Sequence, residues 1–232
     1  MKNLFLALGA LATSFLTSGA VADEPGTANG EWHHYTGDIK GSRYTPLDQI
    51  NADNFEDLEM VWNFSTKNLG TRGEYKLEVT PIMVDGVIYA TAGTRRTAIA
   101  LDAGTGELMW LHSMREGLRG GMAPRQLSGR GLSYWSDGKG DDRIYYVTTG
   151  YRLIALNAHT GVPINSFGTD GNGILDLKIG AVQGNEVQID LVTGEIGLHA
   201  TPTVAGDLII VGSAMKEGMT IDNYNNTKGL VR

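Results

Sequence analysis

Three short runs of β-branched and aromatic residues mark the chain: Val87-Ile88-Tyr89-Ala90-Thr91, Arg143-Ile144-Tyr145-Tyr146-Val147-Thr148-Thr149 and Leu208-Ile209-Ile210-Val211. Each is bounded by glycine or aspartate, and runs of that length and composition are predicted strands. No stretch sustains an apolar period of 3.6 residues, which excludes an α/β chain. The single helical signal is Asp53-Asn54-Phe55-Glu56, a capping-box pattern that predicts a turn or two of helix before Glu59-Met60-Val61-Trp62. The expected fold class is all-β.

Repeats say more than single strands. Ala100-Leu101-Asp102-Ala103-Gly104-Thr105-Gly106-Glu107-Leu108-Met109-Trp110 returns in weaker form as Ala155-Leu156-Asn157-Ala158-His159-Thr160-Gly161-Val162-Pro163, with a fainter echo at Asp190-Leu191-Val192-Thr193-Gly194-Glu195. A second pair is Thr80-Pro81-Ile82-Met83-Val84-Asp85-Gly86-Val87-Ile88-Tyr89 and Thr201-Pro202-Thr203-Val204-Ala205-Gly206-Asp207-Leu208-Ile209-Ile210. The unit has local chemistry. Asp102 or Asn157 can accept turn N–H groups, and Gly106 or Gly161 supplies positive φ. Trp110 is then a flat side chain able to wedge between sheets. Strands, a tight turn and a docking aromatic, repeated about every 50 residues, predict β-propeller blades. Hairpins of a β-sandwich are the competing architecture.

Composition narrows the partners. The 232 residues hold 19 Lys+Arg, 26 Asp+Glu, no Cys and 32 Gly, for a formal charge of −7. An acidic chain lacks the basic face that nucleic acid requires. Without cysteine these residues carry no disulfide, thiolate metal site or haem attachment motif. The high glycine usage, without a collagen period, reads as many turns.

The opening segment is an address rather than fold. Lys2, the apolar run Leu4–Ala12 and the small residues Ala20-Val21-Ala22 describe a secretory signal peptide over residues 1–22, cut after Ala22. Thr13, Ser14, Thr17 and Ser18 interrupt the run, which is too short for the ~20 apolar residues a membrane span needs. Residues 23–232 are therefore expected as an exported, periplasmic product with no transmembrane segment.

Several of these motifs together resemble a family: quinoprotein dehydrogenases that hold pyrroloquinoline quinone (PQQ) on an eight-bladed propeller. The A-x-D-x-x-T-G-x-x-x-W repeat at 100–110 is similar to that family's tryptophan docking motif. Trp32-His33-His34-Tyr35-Thr36-Gly37-Asp38, Arg43-Tyr44-Thr45-Pro46-Leu47-Asp48-Gln49-Ile50 and Leu58–Trp62 resemble its N-terminal signature. Gly129-Arg130-Gly131-Leu132-Ser133-Tyr134-Trp135 is similar to its loop before the next blade. The resemblance covers residues 30–232 and leans toward the glucose-dehydrogenase-like branch.

The resemblance implies site residues. Glu78 matches the acidic residue at the cofactor's edge, and Arg130 the arginine that pairs with a cofactor carboxylate. His199 stands where many relatives carry a threonine that touches the cofactor. Ser213 and Ala214 fall in the backbone stretch that lines it, and Glu217 falls on or beside the metal-binding acid. Where methanol-type relatives carry adjacent cysteines, this chain has Pro124-Arg125. Residue chemistry supports Arg130 independently. Arg115, Arg119, Arg125 and Arg130 face one local acid, Glu116, and guanidinium forks bind carboxylates in paired hydrogen bonds. Asp137–Asp142 and Asp170-Gly171-Asn172-Gly173 lack calcium-loop spacing and are predicted turns. His33-His34 point to opposite faces if extended, so they form no metal pair.

The implied enzyme oxidises an alcohol or the C1 hydroxyl of an aldose by hydride transfer to PQQ. Ca²⁺ or Mg²⁺ acts as Lewis acid, an aspartate as base, and cytochrome c or a membrane quinone accepts the electrons. Eight blades of about 50 residues need roughly 400 residues. The chain is therefore expected to be the N-terminal part of such an enzyme and inactive alone, with the base and further metal ligands beyond Arg232. The alternatives are a non-catalytic propeller scaffold that binds protein partners, as in outer-membrane assembly factors, and a sugar-binding or lyase-type propeller without quinone.

Overall fold

The computed structural model describes residues 26–177, 182–183, 187–188, 191–192 and 196–215. The expected leader over 1–22, most of the echo at 190–195 and Glu217 lie outside them.

Strands, turns and irregular loops make up nearly all of the described chain. β1 (Ile82–Val84), β2 (Val87–Ala92), β3 (Thr97–Asp102) and β4 (Leu108–His112) form an antiparallel sheet in sequence order. A five-residue helix α1 (Gly117–Gly121) lies in the connection to β5 (Ser133–Ser136), β6 (Asp142–Val147), β7 (Arg152–Asn157) and β8 (Ile174–Asp176), which form a second such sheet. Shorter pairs follow: β9 (Val182–Gln183) with β10 (Val187–Gln188), β11 (Ile196–Gly197) with β14 (Ala214–Met215), and β12 (Thr203–Ala205) with β13 (Leu208–Ile210). The Thr201-Pro202 repeat thus forms β12–β13, as Thr80-Pro81 leads into β1–β2.

The burial pattern shows how the sheets stack. β3 and β7 are buried along almost their whole length, as strands covered on both faces must be. Alternate residues serve different neighbours. Ile144, Tyr146, Ile154 and Leu156 pack against Tyr89, Ala98, Ala100 and Trp110 of the first sheet. Tyr145, Val147, Leu153 and Ala155 turn the other way, toward Ile196, Leu198 and Val211. The opposite face of the first sheet, Ala90, Ala92, Ile99 and Leu101, is covered by Trp62, Phe64, Leu69 and Val79. On the outer strand β4 only Trp110 is buried, while Leu108, Met109 and Leu111 are exposed.

Each docking tryptophan bridges to the turn of the next sheet. Trp110 Nε1–H donates to the Ala158 carbonyl at 2.8 Å, and its indole lies against Gly161, where a Cβ would come within 2.7 Å of the ring. Trp62, in the segment before β1, makes the same contact with the turn of the first sheet, donating to the Ala103 carbonyl at 3.0 Å over Gly106. The turns form as expected: Asp102 Oδ1 accepts from Thr105 N at 2.8 Å, Asn157 Oδ1 from Thr160 N at 3.0 Å, and Gly106 and Gly161 adopt φ of 72° and 69°. Side-by-side sheets tied by docking tryptophans are propeller blades.

Two expectations need correction. The capping-box signal yields only a 3-10 turn, Phe55–Asp57, with no side-chain cap from Asn54; the Asn54 carboxamide bonds Asn51 N and Gln49 O instead. Such local side-chain bonds compete with helix. The described chain's α-helix is α1, in a Gly-rich segment where no helical signal stood.

Candidate functional site

Three segments far apart in sequence meet at one end of the sheets. Glu78 precedes β1, Arg130 precedes β5 and His199 lies between β11 and β12. Backbone hydrogen bonds lace them together: Arg130 N donates to His199 O at 3.0 Å, and Thr80 N donates to Arg130 O at 3.1 Å. The approach is close enough to require glycine next door. A Cβ on Gly131 would stand 3.0 Å from the Thr80 carbonyl oxygen and 3.2 Å from Thr201 Cγ2.

Glu78, Arg130 and His199 line a single cavity of about 630 Å³, together with Tyr75, Lys76, Pro124 and Arg125. Glu78 Oε2 lies 2.7 Å from His199 Nε2, and Glu78 Oε1 lies 3.0 Å from Lys76 Nζ. The hydrogen bond from Lys76, with that from His199, holds the Glu78 carboxyl below its usual range. Burial pushes His199 below its ordinary value; Glu78 opposes this, and the positive charges of Arg96 and Arg130 add to it. The neutral imidazole therefore donates Nε2–H to an ionised Glu78. Its Nδ1 is then an acceptor, buried and with no hydrogen-bond partner among the described residues. Arg130 donates from Nη1 to the Tyr35 hydroxyl at 3.2 Å, and that bond keeps its guanidinium firmly charged.

Sequence reasoning missed the group that holds the cavity wall. Arg96, in the β2–β3 turn, is fully buried and bonds four backbone carbonyls: Leu127 at 3.2 Å, Val147 at 3.1 Å, Leu198 at 2.6 Å and Arg125 at 3.0 Å. Burial pushes its pKa down to about 10. It ties the 125–127 loop to the residue before His199. The only sequence signal is a charged pair, Arg95-Arg96, in a turn between two apolar strands.

The arginine-rich segment divides by role. Arg130 and Arg125 line the cavity. Arg119 turns away, paired with Asp176 through two bonds of 2.6 and 2.8 Å. Glu116, its side chain 2% exposed, accepts from Thr148 Oγ1, Thr149 Oγ1, the Gly150 amide and Arg152. Ser213 and Ala214 do not line the cavity. Ala214 pairs with Gly197 in β14–β11, two positions before His199. Among the described residues no group of three or more His, Asp or Glu could hold a metal ion. His33 instead meets Glu31 at 3.2 Å.

The family model described as "PQQ: Glucose/ethanol/alcohol dehydrogenase, beta-propeller domain" matches residues 32–232. The chain belongs to the PQQ-dependent dehydrogenase family. It is 36% identical over 173 residues to the alcohol dehydrogenase (quinone), dehydrogenase subunit, of Gluconobacter oxydans (strain 621H), covering 69% of this chain and 21% of that protein. To the quinoprotein glucose dehydrogenase of the same organism it is 27% identical over 222 residues, covering 89% of this chain and 26% of the relative. The crystal structure of the quinohemoprotein alcohol dehydrogenase from Comamonas testosteroni superposes with a TM-score of 0.60 at 26% identity, covering 82% of this chain and 24% of that one. The chain thus spans about a quarter of the length of the curated relatives it matches.

For a PQQ-dehydrogenase propeller the cavity has fitting chemistry. Its volume lies within the ~300–1,000 Å³ typical of ligand sites. Lys76 and Arg130 outnumber the one lining carboxylate, Glu78, which suits a flat polycarboxylate. The buried Nδ1 of His199 offers an acceptor still to be matched. Among the described residues no helix is long and apolar enough to cross a membrane.

Proposed function

We propose that this chain contributes the PQQ-binding part of a periplasmic dehydrogenase that oxidises an alcohol or the C1 hydroxyl of an aldose. The observation that carries this reading is the convergence of Glu78, Arg130 and His199 on one cavity, from segments 121 positions apart at the extremes. When bound, the quinone supplies the hydride-accepting chemistry. The residues of the chain bind and orient. Arg130 presents a fork to a cofactor carboxylate, pre-positioned by the Tyr35 hydroxyl. Lys76 and His199 keep Glu78 ionised at the cavity edge, and Glu78 in turn fixes the His199 tautomer. Pro124 and Leu127 supply apolar wall that keeps water from one side.

The finer assignments belong to the same proposal. Ser213 and Ala214 serve the cofactor site through the β14 pairing to β11 ahead of His199 rather than as cavity wall, and Glu217 contributes to a Ca²⁺ or Mg²⁺ site. The product is exported after cleavage of residues 1–22, and electrons pass to cytochrome c or a membrane quinone. Residues 23–232 form part of a larger propeller.

Spectral titration of the full-length protein with PQQ tests the reading. A saturable absorbance change is expected in the wild type and is lost in Arg130→Ala, with circular dichroism unchanged. No spectral change in the wild type would overturn it.

A further inference from the structure

A second cavity of about 320 Å³ lies on the other side of the 121–126 loop. Gly121 and Gln126 line both hollows. Gln126 Nε2–H donates to the Gly121 carbonyl at 2.7 Å, closing the partition between them. Arg72, Arg95 and Arg115 line this second hollow, with Thr71 and Thr94 beside them.

The charge there is unbalanced. The other arginines of this region are satisfied: Arg119 by Asp176, Arg152 by Glu116 and Arg96 by four carbonyls. Among the described residues no carboxylate pairs with Arg72, Arg95 or Arg115. The single acid in the lining, Glu116, is buried and already takes four donors, one of them the Arg152 guanidinium. Arg72 is held over the Tyr75 ring, its guanidinium carbon 5.2 Å from the centroid, a stacking that orients the fork. Three like charges in one concavity repel one another unless an anion sits between them. In a chain of net charge −7, such a local excess of cations is unexpected without a ligand.

We infer that Arg72, Arg95 and Arg115 form a second anion site, separate from the cofactor cavity, that takes a small multivalent oxyanion: a dicarboxylate or a phosphate. Guanidinium forks match either group in paired, charge-assisted hydrogen bonds. The site lies beside the connection that carries Arg125 and Arg130, so an anion there would brace that loop from behind.

Isothermal titration of the full-length protein at low ionic strength, with succinate and with inorganic phosphate in separate runs, tests this. Saturable binding of at least one is expected, and the tighter of the two names the source chemistry. Arg95→Ala/Arg115→Ala weakens that binding at least about ten-fold, as expected for losing charge-assisted bonds. Arg130→Ala leaves it unchanged. Arg72 is exposed, so Arg72→Ala offers a variant with little consequence for folding, and it too weakens binding. The inference is overturned if neither anion binds the wild type. It is equally overturned if binding survives the arginine replacements, and loss of that binding in Arg130→Ala would place the anion in the cofactor cavity.

Discussion

Glu78 and His199 lie 121 positions apart and share a hydrogen bond of 2.7 Å. The bond pulls the two groups in opposite directions, lowering Glu78 and raising His199, but burial outweighs it at His199, so both sit below their ordinary values. His199 sits below 6.5, so as pH falls the unfolded chain takes up this proton before the folded one does. Its contribution to stability is present above that ordinary value and is lost as pH falls from it toward the folded value. Glu78 sits below 4.5; its contribution is present above 4.5 and is lost as pH falls through the folded value. NMR titration of His199 in the cofactor-free, full-length protein is expected to give a midpoint below 6.5. Glu78→Gln moves it further down and Arg130→Ala moves it up. A midpoint above 6.5 would contradict the arrangement.

Trp110 ties the first sheet to the second. Trp110→Ala is expected to cost about 3–5 kcal/mol, as for other buried aromatic truncations, measured by urea unfolding. Trp62→Ala costs less, since that indole is only half-buried. Gly161→Ala adds a Cβ at positive φ and 2.7 Å from the Trp110 ring, and destabilises by more than about 1 kcal/mol.

Arg96→Met removes the donors of four carbonyls at once. Each buried carbonyl left unpaired costs about 1–3 kcal/mol, so the variant is expected to unfold at much lower urea. A milder replacement, Arg96→Lys, keeps the charge but cannot span all four partners. In that variant PQQ affinity falls more than stability does, because the Leu198 carbonyl positions His199. Parallel urea and PQQ titrations separate the two effects.

Glu116 anchors the segment after β4. Glu116→Ala leaves Arg152 without its closest partner and frees the Gly150 amide, at an expected cost of about 3 kcal/mol or more. Hydrogen exchange at Gly150, whose N–H donates to Glu116 at 2.6 Å, is expected to accelerate. Unchanged exchange there would show that the carboxylate does not hold this turn.

Much of the blade architecture was legible along the chain. The β2, β6 and β13 runs, the Asp102 and Asn157 turns and the tryptophan docking unit each depend on residues within about a dozen positions of one another. The helix expected near Asp53 failed for an equally local reason, because Asn54 spends its side chain on neighbouring backbone. Glu78 and His199 were legible only through resemblance, and although Arg130 also stood out within its cationic segment, nothing near any of the three in sequence points to the other two.

What the amino-acid order determined by itself was therefore the strand, the turn and the aromatic that joins one sheet to the next. The fold alone decided which charges act together. Arg119 and Arg130 sit eleven positions apart in one cationic segment, yet one is neutralised by Asp176 and the other faces a cavity. Arg96, unremarkable as a turn residue, became the buried staple of the site because carbonyls from four distant positions converge on it. Local pattern depends on short-range sterics and alternation, whereas pairing, burial and pKa depend on which segments the stacked sheets bring within a few ångströms.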